Sequence, residues 1–234
     1  AYKEMDVKEL VEKLGCTDGA SYFTEKAQQL VKQHLETDTD KGLYKHMLLS
    51  LFAFHGNRPQ DWMVRYMNDG LVYTQTSDEM AGERGYYSAE RNTLHLFKGK
   101  TQKKGTERVV KVDPIVGKTI ARYHASIDHA SPYLIPKQRQ LGDCAEEGAV
   151  RKAIQATFFC HTNRYGFPSG INLTDLRHLY ESHIRHHLKL DEEAIEEKMR
   201  EIGHSNRTSL QFYSELYKNI YSNVTTPTTT ATTQ

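Results

Sequence analysis

Five side chains spread along the chain could together act on a phosphodiester: Arg58, Lys100, Arg177, His204 and Tyr213. Two guanidiniums, an ammonium, an imidazole and a phenol are the groups that metal-free cleavage by a tyrosine would need. A guanidinium matches the oxygens of a phosphoryl group and keeps its charge. A phenol with a pKa near ~10 is a poor nucleophile unless its surroundings stabilise negative charge. The most informative pairing is Gly203-His204 with Tyr213, nine positions after the histidine.

Each of these residues also has a plainer reading. Arg58, in Gly56-Asn57-Arg58-Pro59-Gln60-Asp61, could be a solvated arginine in a turn. Arg177 opens a helix and could simply pair with a neighbouring carboxylate. Tyr213 shares a helical stripe with Phe212, Leu216, Tyr217 and Ile220, as a core tyrosine would. Lys98, Lys100, Lys103, Lys104, Arg108 and Lys111 crowd around one turn with only Glu107 to oppose them. Such a run is usually a solvated face, yet a basic β-hairpin is also a shape that reaches along a groove and contacts phosphates. His178, His183, His186 and His187 lie on or beside one helix, and His183 with His187 has the spacing of a metal pair. With no H-E-x-x-H motif and no cysteine partner, the expectation is a solvated or DNA-facing helix and no metal.

Composition sets the bounds. A chain of 234 residues can form one large domain with a real core. Its 31 Lys and Arg nearly cancel 30 Asp and Glu, so nucleic-acid binding must be argued from local clusters and not from net charge. Cys16, Cys144 and Cys160 are distant and odd in number, which argues against a disulfide framework and fits a reducing, intracellular compartment. No apolar stretch approaches the roughly 18 to 20 residues of a membrane span.

The elements that must position the five residues follow from periodicity. A short helical arm is expected from Glu4 to Leu14, and amphipathic helices over Ser21 to Leu35 and Lys41 to His55. Pro59 suits the first position of a further helix. Strands are expected at Leu71 to Gln75, Asn92 to Phe97 and Glu107 to Val112. Helices then follow over Val116 to Ile127, Ala145 to Cys160, Thr174 to Leu188, Asp191 to Ile202 and Thr208 to Tyr221, with Gly203 ending the fourth of these. The Thr-rich stretch from Thr225 to Gln234 has no core face, so disorder is expected there. The whole reads as an arm over 1–20, an α+β domain over 21–222 and a tail over 223–234. That domain is mostly helical, with a small three-stranded antiparallel sheet.

Order and spacing together resemble the tyrosine recombinase, or phage integrase, family over roughly Ser21 to Tyr221. Gly-Asn-Arg-Pro-Gln-Asp at 56–61 resembles the first arginine box, and Lys100-Thr101 the catalytic-lysine turn. Ser131-Pro132-Tyr133-Leu134-Ile135 resembles the stretch before the long helix, Thr174-Asp175-Leu176-Arg177-His178 the second arginine box, and Gly203-His204-Ser205 with Thr208 and Tyr213 the nucleophile segment. Two departures stand out. Thr174 occupies a place where the family usually has histidine or lysine, and threonine cannot shuttle protons at neutral pH; His178 or His161 could substitute only if the fold brings one close. Asp61 stands where glutamate is commoner.

The resemblance implies a site-specific DNA recombinase or integrase that works without metal, ATP or cofactor. Arg58 and Arg177 would grip the non-bridging oxygens with help from His204, Lys100 would protonate the departing 5′ oxygen, and Tyr213 would hold a 3′-phosphotyrosyl bond. Lys98, Lys103, Lys104, Arg108 and Arg207 are the expected DNA-binding cations. The partner would be double-stranded DNA, with dimers per site and tetramers per synapse, in a bacterial cytoplasm or a eukaryotic nuclear or viral setting. With about twenty residues before the first catalytic-type helix there is no room for the family's N-terminal clamp; either a catalytic-domain fragment or a minimal enzyme is expected, with modest, salt-dependent affinity in both cases. Two other readings stay open: a catalytically impaired DNA-binding or architectural protein of the same fold, and relaxation of DNA in the manner of type IB topoisomerases.

Overall fold

A computed structural model describes residues 19–37, 39–68, 84–97 and 107–203. The arm at 4–14, the strand at 71–75, the hairpin tip with Lys98, Lys100, Lys103 and Lys104, and His204, Arg207, Tyr213 and the tail lie outside the described residues.

Six α-helices are present among the described residues: α1 (Gly19–Glu36), α2 (Leu43–Ala53), α3 (Pro114–Ser126), α4 (Glu147–Phe158), α5 (Leu173–His186) and α6 (Glu192–Ile202). The organising element is α2. It is buried at every position except Lys45, because leucine, methionine and phenylalanine surround its whole circumference. A helix that is apolar all round must be covered on all sides, and α1, α3, α4 and α5 pack against it. The other helices each bury one stripe. In α1 that stripe is Phe23, Ala27 and Val31, and in α4 it is Val150, Ile154 and Phe158.

The sheet differs from the expectation. It has four strands in the order β1 (Arg65–Met67), β2 (Gly85–Ser88), β3 (Thr93–Leu96) and β4 (Arg108–Lys111). The β1–β2 pair is parallel and the rest antiparallel. Alternation sends Tyr87, Leu94, Leu96 and Val110 into the core. The helix expected after Pro59 is a single 3₁₀ turn, Pro59–Trp62. Residues 131–135 run beside β1, where Tyr66 N–H donates to Pro132 O at 2.9 Å and Leu134 N–H to Val64 O at 3.0 Å. A two-stranded hairpin, β5 (Pro136–Lys137) and β6 (Gln140–Cys144), then leads to α4.

One arginine fastens the corner between α1 and α2. Arg122 of α3 donates to the carbonyls of His34 at 3.2 Å and Leu35 at 3.4 Å, oxygens that a helix C-terminus leaves without intrahelical partners, and to Thr39 O in the loop beyond at 2.9 Å. No helix among the described residues is long and apolar enough to cross a membrane.

Candidate active site

The chain leaves α2 through His55, Gly56 and Asn57, all buried, and reaches Arg58 at the mouth of the 3₁₀ turn. The approach is close. A β-carbon on Gly56 would lie 3.0 Å from both Ile202 Cδ1 and Tyr180 Cδ1, so a larger residue here would need one of those side chains to give way. Asn57 Nδ2 donates to Glu201 O at 3.0 Å, tying the same segment to the end of α6. His55 Nε2 accepts the Asp113 N–H at 3.0 Å. Burial, helped by Lys198, pushes this imidazole down to about 3, so it is a neutral structural acceptor.

Asp61 closes the turn. Its Oδ2 accepts the Arg58 N–H at 3.2 Å, and the Asp61 N–H returns a bond to Arg58 O at 2.9 Å. The same oxygen takes Arg108 Nη2 at 2.8 Å, an ion pair in which Asp61 is 8% exposed and Arg108 18%. Arg108, expected among the groove-facing cations, thus has its guanidinium turned onto the first arginine turn. The Arg58 guanidinium makes no hydrogen bond or ion pair with the described residues, and the residue is half-buried.

Arg177 comes from α5. The helix starts there because Asn172 Oδ1 accepts the N–H groups of Thr174 at 2.8 Å and Asp175 at 3.1 Å, while Asp175 Oδ2 accepts the Asn172 N–H at 2.9 Å. This reciprocal cap satisfies donors that the first turn leaves over. Arg177 is buried, its Nε donating to Glu181 Oε1 at 3.1 Å and its Nη2 to Ile202 O at 3.3 Å. Burial pushes its pKa down, Glu181 pulls it back up, and Arg58 lowers it again. Arg58 and Asp61 therefore lie near enough to act on Arg177, and the two expected arginines share one site. The plainer reading of Arg177 holds, since it pairs with the carboxylate one turn along.

Gly203 completes the cluster. It ends α6 in a left-handed conformation with φ 74°, where its N–H donates to Arg200 O at 3.0 Å. A β-carbon there would lie 1.8 Å from Arg108 Nη1. Three guanidiniums and two carboxylates thus lie where 56–61, β4, α5 and the end of α6 converge, and of the three only the Arg58 guanidinium has no carboxylate partner among the described residues. The sequence pattern missed the Arg108–Asp61 pair and left open which carboxylate Arg177 meets, here Glu181. The Arg177–Glu181 pair follows the helical i, i+4 spacing and was open to inspection.

Thr174 is exposed on the first turn of α5, and His161 is exposed in the turn after α4. His178 lies one turn after Thr174 and is partly buried. The expectation of a solvated or DNA-facing histidine helix is corrected. His183 is buried at 3% exposure on the face of α5 turned to α1, stacked on His187 with ring centres 5.0 Å apart. His187 Nε2 meets Glu25 Oε1 of α1 at 2.6 Å. Among the described residues no group of three metal-binding side chains converges.

No protein-family model and no curated protein matches the sequence. Among solved structures, the fold is similar to that of the XerA recombinase, with a TM-score of 0.52 and 13% identity over 87% of this chain and 62% of that one. The chain thus spans less than two thirds of that protein's length. The likeness covers the α+β architecture, and the fold of this chain is tyrosine recombinase-like.

Proposed function

We propose that this protein is a DNA strand-transfer enzyme of the recombinase type, which cleaves and rejoins duplex DNA through a 3′-phosphotyrosyl intermediate. The observation that carries the reading is the meeting of Arg58 and Arg177, residues far apart in sequence, at one site where the Arg58 guanidinium has no partner among the described residues. Fold likeness to a recombinase supports it.

In this scheme the Tyr213 hydroxyl gives its proton to solvent as its oxygen bonds phosphorus, and the bond from phosphorus to the 5′ oxygen breaks. Lys100 gives that oxygen a proton. Arg58, Arg177 and His204 hold the non-bridging oxygens as charge builds on them, the kind of fixed electrostatics that contributes most to such steps. The phosphotyrosyl bond keeps the energy of the original linkage, so a second 5′ hydroxyl reverses the step without ATP. Lys98, Lys103, Lys104 and Arg207 would contact phosphates away from the reacting one, and pairs of protomers would assemble on DNA.

A nicked duplex that loses its 5′ fragment after cleavage tests the reading. The wild-type protein is expected to form a covalent adduct, Tyr213→Phe none, and Arg58→Ala about 10²-fold less, the usual loss for a preorganised charge contact. An adduct that survives Tyr213→Phe, or none from the wild type, overturns it. The exposed Thr174, with no titratable group, favours one alternative, a DNA-binding protein of the same fold with impaired catalysis. DNA binding without any adduct is the outcome that would select it.

A further inference from the structure

We infer that Arg108 is a positioning residue of the strand-transfer site, one that fixes the Gly203 turn against the first arginine box; the inference rests on the function proposed above. Arg108 stands on β4, the strand that follows the lysine-rich segment at 98–106. Its head is held at two points. Nη2 donates to Asp61 Oδ2, the same oxygen that accepts the Arg58 N–H, and the guanidinium fills the space over Gly203 that any side chain would occupy. Its Nε is buried and has no hydrogen-bond partner among the described residues.

That third fact separates positioning from substrate contact. A cation placed to meet DNA phosphates keeps its donors at the surface, whereas here one donor is sealed inside, at a cost to folding, while the head sits between the Asp61 carboxylate and the Gly203 turn. Ile202, one residue earlier, has its carbonyl on Arg177. The last two described residues before His204 therefore lie against two guanidiniums, one bonded to the Ile202 carbonyl and one filling the space over Gly203, and each guanidinium is paired with a carboxylate. Arg108 joins the turn of Arg58, the strand leading from Lys100 and the turn leading to His204. A shift in any of them is felt by the others. Small misplacements at a reacting centre cost rate far more than they cost binding.

The test uses the full-length protein, a fluorescent duplex for affinity and the nicked duplex for cleavage at saturating DNA. Arg108→Ala is expected to lower the saturating cleavage rate by about 10²-fold, with DNA affinity changed less than about threefold. Arg108→Lys, which keeps the charge but loses the fork, should recover only part of that rate. Because removal of Arg108 leaves Asp61 buried and unpaired, the paired variant Arg108→Met with Asp61→Asn serves if the single one fails to fold, and the same slow cleavage is expected of it. Without DNA, the amide resonance of Gly203 should shift in these variants. Wild-type cleavage by Arg108→Ala, or a loss confined to affinity, overturns the inference, as does an unmoved Gly203 resonance. Absence of an adduct from the wild type sinks the strand-transfer reading and the catalytic part of this inference, while the Gly203 resonance still decides what Arg108 holds.

Discussion

Arg177 keeps its charge in a place largely shut off from water, and Glu181, at 1% side-chain exposure, is the reason it can. Burial alone would disfavour the cation, and the carboxylate one turn along restores it. Removing one member of such a pair costs more than the pair contributes, because the other charge stays buried. Glu181→Ala should therefore destabilise the fold by about 3 kcal/mol, read as a lower urea midpoint. Arg58 differs. Its guanidinium has no partner among the described residues, so Arg58→Ala should leave the urea midpoint within about 0.5 kcal/mol of wild type while abolishing most cleavage. A large stability loss there would mean that Arg58 is structural.

At the scale of elements, the start of α5 decides where Arg177 points. Asn172→Ala removes an acceptor for two helix N–H groups and should cost about 1 kcal/mol. Thr174→Lys, on the exposed side of the same turn, should change stability by less than about 0.5 kcal/mol; urea unfolding of the two variants separates a cap from a bystander. Such helices were legible in the sequence, since their stripes carry a 3.6-residue period: the expected Asp191 to Ile202 is found as Glu192–Ile202, closed by Gly203. The stripe of α5 also passes through His183, seven residues after Leu176 and four after Leu179, a signal that could have shown its burial. The strands were less legible. Arg65–Met67 and Gly85–Ser88 are three and four residues long, too short for alternation to register, and Arg65–Met67 finds its partner only in a strand about twenty residues on. Nothing local in the sequence couples position 61 to position 108, so the ion pair between them emerges only on folding.

At the scale of the whole molecule, buried neutral histidines make stability depend on pH. Burial lowers His55 to about 3 and His124 to about 4, whereas in the unfolded chain each titrates near ~6.5. Below ~6.5 the unfolded state takes up protons that the folded state refuses, so the stability present above that pH is lost as pH falls toward the folded values. Each histidine adds a slope of up to about 1.4 kcal/mol per pH unit. Urea midpoints measured from about pH 7 down to about 4.5 should fall steadily, and His55→Gln should flatten the decline; a level profile would contradict the burial of these rings. The clasp at the α1 corner has another consequence. Arg122 lies on the long C-terminal side of Lys41, and its three carbonyl acceptors lie on the short N-terminal side. Severing the backbone just after Lys41 would therefore divide the polypeptide without releasing α1, which stays seated by Phe23, Ala27 and Val31 and by that one guanidinium. The two pieces of a chain cut there are expected to elute together in size exclusion, with the first helix still docked.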